Sequence, residues 1–133
     1  MIPLWHLITS LILSFLLYPY FGFASILVLL SGWLIDADHA LYYIFKFKDF
    51  SYKRMYSYFK ERKFRKKVIN IFHTIEFYVI IFVLAFYNIY FLIIAIGLLL
   101  HVTMDIIYFF YLGRFDLRYW TLTGWIKDII GSK

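Results

Sequence analysis

Four apolar stretches of near membrane-crossing length dominate this chain, and the few charges inside them are histidines and acids set about one helical turn apart. The stretches lie at about 4–18, 21–45, 68–87 and 90–112 in a chain of 133 residues. A bilayer-spanning helix needs ~20 predominantly apolar residues. The first stretch is short for that purpose and closes at Pro19, which cannot continue a helix without cost. The expected fold is therefore all-α: an integral membrane bundle of about four transmembrane helices, forming one domain over 1–133. Short connections at Tyr18-Pro19-Tyr20 and near Asn88 predict two antiparallel hairpins.

Composition agrees. Hydrophobic residues make up 64% of the chain and mean hydropathy is +0.77, against roughly half apolar for a soluble domain. No length is left for a separate soluble module. Aromatics reach 25%, and Tyr and Trp suit the headgroup level. Met1 to Tyr18 has neither a basic leading region nor a small-residue cleavage pattern, so it is expected to remain as a helix. Cysteine is absent, which restricts any metal to nitrogen and oxygen donors.

The net charge of +6 is unevenly spread. Lys46 to Lys67 holds ten Lys or Arg against two acids, a local +8, which leaves the rest of the chain at −2. A basic connection between spans is what the positive-inside rule expects, so it does not point to nucleic acid. The rule puts this segment, both termini and the flanking Arg114 and Arg118 on the cytoplasmic side of the cell membrane. Gly113 to Lys133 mixes Trp120, Leu122, Trp125, Ile126, Ile129 and Ile130 with Arg118, Lys127 and Asp128. It reads as an interfacial amphipathic helix or as a loosely packed tail.

The intramembrane charges carry the chemistry. Asp36-Ala37-Asp38-His39 places three ionisable groups within four residues; His73 and Glu76 lie three apart, and His101 and Asp105 four apart. Residues three or four apart share a helical face. Counted from the basic boundaries at ~1.5 Å per residue, His39 and His73 lie ~10 Å deep and Asp105 ~13 Å deep. All of them fall in the cytoplasmic half, so one shared inner-leaflet site is expected, with His6 at its rim. Asp38 cannot share a helical face with Asp36. Either the helix turns there or one acid orients a neighbouring imidazole.

Convergent imidazoles and carboxylates are the donor set of a divalent metal. Asp36, Asp38, His39, His73, Glu76, His101 and Asp105 are the candidate ligands. His6, Asp38 and Glu76 are the candidate catalytic groups, His6 as an optional ligand or as proton donor to a leaving group. One zinc takes about four ligands, so the set serves one or two ions; zinc is the first expectation, and manganese or iron also suit it. Bound zinc brings water's pKa to about 7, and paired metals clamp an oxyanion in displacement at phosphorus.

Other readings fare less well. Polar contacts that only knit membrane helices contribute about 0.6 kcal/mol each on average, and eight ionisable groups exceed that need. A metal-binding transporter or channel subunit is the alternative, although four spans make a pathway only by oligomerising. No His-Glu-x-x-His or Gly-x-Ser-x-Gly motif occurs, and four histidines are too few for the boxes of diiron desaturases.

The order of His6, then Gly32-Trp33-Leu34-Ile35-Asp36-Ala37-Asp38-His39, then His73-Thr74, then His101-x-x-x-Asp105 resembles the small bacterial and archaeal membrane-bound metal-dependent hydrolases. These in turn resemble the helical zinc-dependent phospholipase C and nuclease superfamily. The resemblance covers roughly His6 to Asp105. It implies metal positions at Asp36, Asp38, His39, His73, His101 and Asp105. Family members often carry a further His-Arg element near the third motif, where this chain reads Ile69-Asn70-Ile71-Phe72. The function so implied is hydrolysis of a phosphoester, such as a phospholipid or lipid phosphate, by metal-activated water. Membrane lipid is the expected partner. The basic segment could gather anionic headgroups, at about 1 kcal/mol per basic residue near the surface.

Overall fold

The computed structural model describes residues 3–60, 68–113 and 115–131. Arg114 and residues 61–67 of the basic segment lie outside the described residues. Among the described residues the fold is all-α apart from one two-residue strand pairing. Helix α1 (Pro3–Phe21) runs through Pro19 rather than stopping there. Its end is set by Gly22, whose φ of +54° favours glycine. A 3-10 turn over Gly22–Ser25 then reverses the chain into α2 (Ile26–Leu34).

The second apolar stretch is not one helix. A turn at Ile35-Asp36 separates α2 from α3 (Ala37–Phe47), which is followed by α4 (Tyr52–Lys60). Asp49 fixes the corner between α3 and α4. It accepts two bonds of 2.7 Å from Arg54 and one of 2.9 Å from the Tyr43 hydroxyl. The Arg54 guanidinium holds the Asp49 carboxyl below the usual carboxylate range.

The third stretch also departs from a single helix. Strand β1 (Val68–Ile69) leads into a 3-10 turn over Ile71–His73, and α5 begins only at Ile75 and ends at Ala85. At ~1.5 Å per residue, 11 residues rise about 16 Å, half of a hydrocarbon core of about 30 Å. Asn88 caps the following helix by accepting from the Tyr90 N–H at 2.8 Å. Helix α6 (Ile89–Leu112) ends at Gly113, φ +60°. After a 3-10 turn, strand β2 (Arg118–Tyr119) pairs parallel with β1, Val68 opposite Arg118 and Ile69 opposite Tyr119. The tail then closes as α7 (Leu122–Gly131).

Small residues set the helix spacing. Ser14 on α1 donates to the Ser25 carbonyl at 2.8 Å. A Cβ on Gly32 would collide with Ser10, and one on Gly97 with Ser31 and Val28, so α2 packs backbone-close against both α1 and α6. The helical run Leu4–Phe47, which folds back on itself at Gly22–Ser25, and helix α6 are each long and apolar enough to cross a membrane.

Burial is inverted relative to a soluble protein. Phe15, Phe23, Phe86 and Phe110 are exposed, whereas His6, Ser10, His73, Thr74, His101, Asp105 and Arg118 are buried. Large apolar surfaces rimmed by polar ends mark contact with another apolar phase or partner. The polar interior is where the candidate site lies.

Candidate metal centre

The turn at Ile35-Asp36 resolves the geometry of the acidic motif. In a continuous helix the Gly32 carbonyl would accept from residue 36. Here the Asp36 N–H goes to Trp33 instead, at 3.4 Å. The Gly32 carbonyl is freed and accepts from Nδ1 of His101 at 2.8 Å. The same break lets Asp36 and Asp38 face one site although only Ala37 separates them.

His73 enters from its 3-10 turn, where its backbone N–H bonds to Asn70 at 3.0 Å. Its Nδ1 meets Asp38 Oδ2 at 2.9 Å. With Nδ1 of both His73 and His101 engaged as donors, each Nε2 carries a lone pair. These two Nε2 atoms face one another at 3.1 Å. Asp36 Oδ1 lies 3.6 Å from both of them, and Asp105 Oδ2 lies 3.8 and 3.7 Å away. Four acceptors cannot crowd together in a buried site without a proton or a cation among them. Adjacent ligands of tetrahedral zinc with ~2.0–2.1 Å bonds stand about 3.3 Å apart, so the spacing fits a metal. His73, His101 and Asp105 form one group able to hold an ion. Asp36 with His39 and His73, and Asp36 with His6 and His101, form two others.

Asp38 serves differently from the ligand set. Its second oxygen takes Nδ1 of His39 at 2.8 Å, so both oxygens are spent on imidazoles. This is the carboxylate–histidine arrangement that fixes a ligand's tautomer. His39 Nε2 meets Nδ2 of Asn70 at 3.1 Å, while the buried Asn70 Oδ1 has no hydrogen bond. Nε2 is the acceptor of that pair, since an Nε2–H tautomer would set the His39 Nδ1 lone pair against the Asp38 carboxylate at 2.8 Å.

His6 and Glu76 depart from expectation. His6 is buried rather than at a rim. It stacks on His101, rings 3.9 Å apart, with Nε2 3.4 Å from Asp105 Oδ1 and no hydrogen bond at either nitrogen. Glu76 is not brought into the cluster. His73 lies in the 3-10 turn and Glu76 in α5, so they do not share one helical face. The Glu76 carboxylate instead accepts from the backbone of Leu122 at 3.0 Å and of Thr123 at 3.2 Å, capping α7. An N-terminal helix end attracts a carboxylate through its unpaired N–H groups.

Arg118, which the sequence marks only as a basic residue just past the last span, joins the cluster. It is 4% exposed and donates from Nη1 to Asp105 Oδ2 at 2.9 Å. The pairing of β1 with β2 carries it into the site, and no local pattern signals that return. The Tyr78 hydroxyl is also buried without a hydrogen bond, within electrostatic reach of Arg118, Asp105, Asp38 and Asp36.

Taken together, Asp36, Asp38, His39, His73, His101 and Asp105 converge as the spacing predicts, His6 joins them from α1, and Glu76 does not. Comparison with protein families, curated proteins and solved structures finds no match to this chain. The functional reading therefore rests on the site itself.

Proposed function

We propose that this protein is a membrane-embedded, metal-dependent hydrolase of phosphoesters. The observation that carries the reading is the opposed pair of His73 and His101 Nε2 atoms, 3.1 Å apart and flanked by two carboxylates. Charge supports it further. Asp36, Asp38 and Asp105 against Arg118 leave the chamber two charges negative when the histidines are neutral. One divalent ion neutralises it, and a second leaves room for an anionic substrate.

When bound, a divalent ion supplies Lewis acidity toward water and toward a phosphoryl oxygen. His73, His101, Asp36 and Asp105 would hold it; His6 and His39 complete a set large enough for two ions. Asp38 keeps the His73 tautomer fixed, as the Gly32 carbonyl does for His101. His6 stands with Nε2 3.4 Å from Asp105 and no hydrogen bond at either nitrogen, placed to pass a proton to a leaving group.

The placement in the membrane belongs to the same proposal. α1, α2 with α3, α5 with its irregular lead-in, and α6 would make four crossings. Irregular backbone at membrane depth is tolerated where it lines a cavity and is paired within the protein; the Ile75 N–H, for example, bonds to Trp120 at 2.9 Å. The basic segment would lie in the cytoplasm, the site in the inner leaflet, and a lipid phosphate would be the substrate at hand.

The test is metal analysis by mass spectrometry on protein purified without chelator, coupled to phosphate release from phosphatidic acid in nanodiscs. One or two zinc-like ions per chain are expected, with His101→Ala stripping them and abolishing release. Metal-free wild-type protein that regains no activity with added zinc, manganese or iron would overturn the reading. It would leave a shared proton as the link between His73 and His101.

A further inference from the structure

We infer that Arg118 is an oxyanion-binding residue: the Nε/Nη2 edge of its guanidinium, turned away from Asp105, receives a phosphoryl group. The inference rests on the proposed function and names how the substrate is held.

The guanidinium packs against the Phe109 ring, 4.7 Å from Cζ, and the Trp120 ring, 4.2 Å from Cζ, two rings that lie on adjacent rather than opposite sides of it. Its Nη1 is committed to Asp105 at 2.9 Å. The remaining edge carries Nε and Nη2, and both are buried without a hydrogen-bond partner. Leaving two charged donors unpaired in a dry interior costs several kcal/mol. Native interiors seldom leave such donors empty unless a ligand or ordered water meets them. The Nε/Nη2 edge is the planar fork that matches two oxygens of a phosphate or carboxylate.

Position decides between a mere spare edge and a site. Asp105 Oδ2, which takes Nη1, is also 3.8 Å from His73 Nε2 and 3.7 Å from His101 Nε2. The Nε/Nη2 fork points the opposite way from Nη1, so the guanidinium stands between Asp105 and an anion on its far edge and links the two through its charge. The unpartnered Tyr78 hydroxyl, subject to the charge of Arg118, offers a further donor nearby. A carboxylate would use the fork equally well, but it lacks the further oxygens that a phosphoryl group offers to the Tyr78 hydroxyl. The shared chemistry is a phosphoryl oxyanion, from a lipid headgroup or from free phosphate.

The experiment uses the full chain, metal-loaded, in phosphatidylcholine nanodiscs. Thermal unfolding is followed against inorganic phosphate, with sulfate and acetate as controls, and metal is counted on the same samples. Arg118→Lys keeps the charge that Asp105 needs but removes the fork. It is expected to retain wild-type metal stoichiometry while phosphate affinity falls at least tenfold. The wild type itself provides the second measurement: phosphate should raise its unfolding temperature, and acetate should do so much less. Nanodiscs doped with phosphatidic acid separate the sources. If the headgroup is the ligand, added phosphate loses its effect there; if free phosphate is, the effect persists, and either result supports the fork. Metal-loaded wild type indifferent to both inorganic phosphate and phosphatidic acid would overturn the inference, as would Arg118→Lys that binds phosphate like wild type. Loss of metal binding in the wild type would instead overturn the proposed function, so the two failures are distinct.

Discussion

Nδ1 of His101 and the carbonyl of Gly32 meet at 2.8 Å across the α2–α6 contact. The contact is that close because neither Gly32 nor Gly97 carries a Cβ. Helix packing and ligand orientation are thus one property of this protein. The carbonyl is available because α2 ends there, and the imidazole is reached because the helices nearly touch.

Gly32→Ala should disturb both together. The new Cβ would meet Ser10 and approach the Gly97 carbonyl to 3.2 Å. Overpacking of this kind costs about 1–3 kcal/mol. A lowered unfolding temperature is expected, with metal affinity weakened as His101 loses its anchor. Ser10→Gly in the same chain removes the nearest obstruction and should restore part of both. Full metal affinity in the single variant, measured by chelator competition, would separate packing from the site.

Glu76 should be dispensable for metal. Glu76→Gln removes the charge that faces the start of α7 but touches none of the clustered donors. Metal stoichiometry is expected to stay at the wild-type value. Trypsin should cut faster at Lys127, which lies within α7. Loss of metal would return Glu76 to the ligand set.

Much of the site was legible because it follows from cost. Charges in apolar helices are expensive and must meet, which placed Asp36, His39, His73, His101 and Asp105 together from spacing and depth alone. The misreadings came where backbone departs from regular helix. The third stretch looks continuous by hydropathy, yet its first residues are a strand and a 3-10 turn, so the His73–Glu76 spacing does not describe a shared helical face. Pro19 was a sound breaker in principle, but the reversal waits three residues for Gly22. Arg118 resembles any basic residue after a span. Only the return of the tail onto β1 brings it to Asp105, and such non-local pairing leaves no periodicity to read. The amphipathic reading of the tail, by contrast, corresponds to α7.

The proposed orientation in the membrane is open to direct labelling, because the chain has no cysteine to confuse it. Lys53 is exposed on α4, and Tyr87 is exposed at the α5–α6 turn. The proposed topology puts these positions on opposite sides of the membrane. In intact cells, an impermeant maleimide should leave Lys53→Cys unmodified and label Tyr87→Cys. The reverse pattern would put the basic segment, and the site near it, on the outer side.

Asp38 and Asp36 should differ in kind when each is neutralised. Asp36 offers one oxygen 3.6 Å from both Nε2 atoms, in the position of a ligand. Asp38 instead accepts from Nδ1 of His39 at 2.8 Å and of His73 at 2.9 Å. Asparagine at position 38 keeps one acceptor and turns the other contact into a donor. One of the two imidazoles must then change tautomer, which protonates the nitrogen it would offer to a metal or empties its bond to position 38. Orienting groups of this sort typically affect metal affinity by 10–100-fold. Asp38→Asn is therefore expected to bind metal about 10–100-fold more weakly yet still fill the site at high zinc. Asp36→Asn should lose an ion from the stoichiometry outright. Chelator competition measures the first effect and mass spectrometry the second. Nitrogen-15 NMR of labelled histidine should report an altered tautomer in Asp38→Asn alone. An Asp38→Asn protein with unchanged affinity and histidine spectrum would remove the orienting role, and one that binds no metal at any concentration would make Asp38 a ligand.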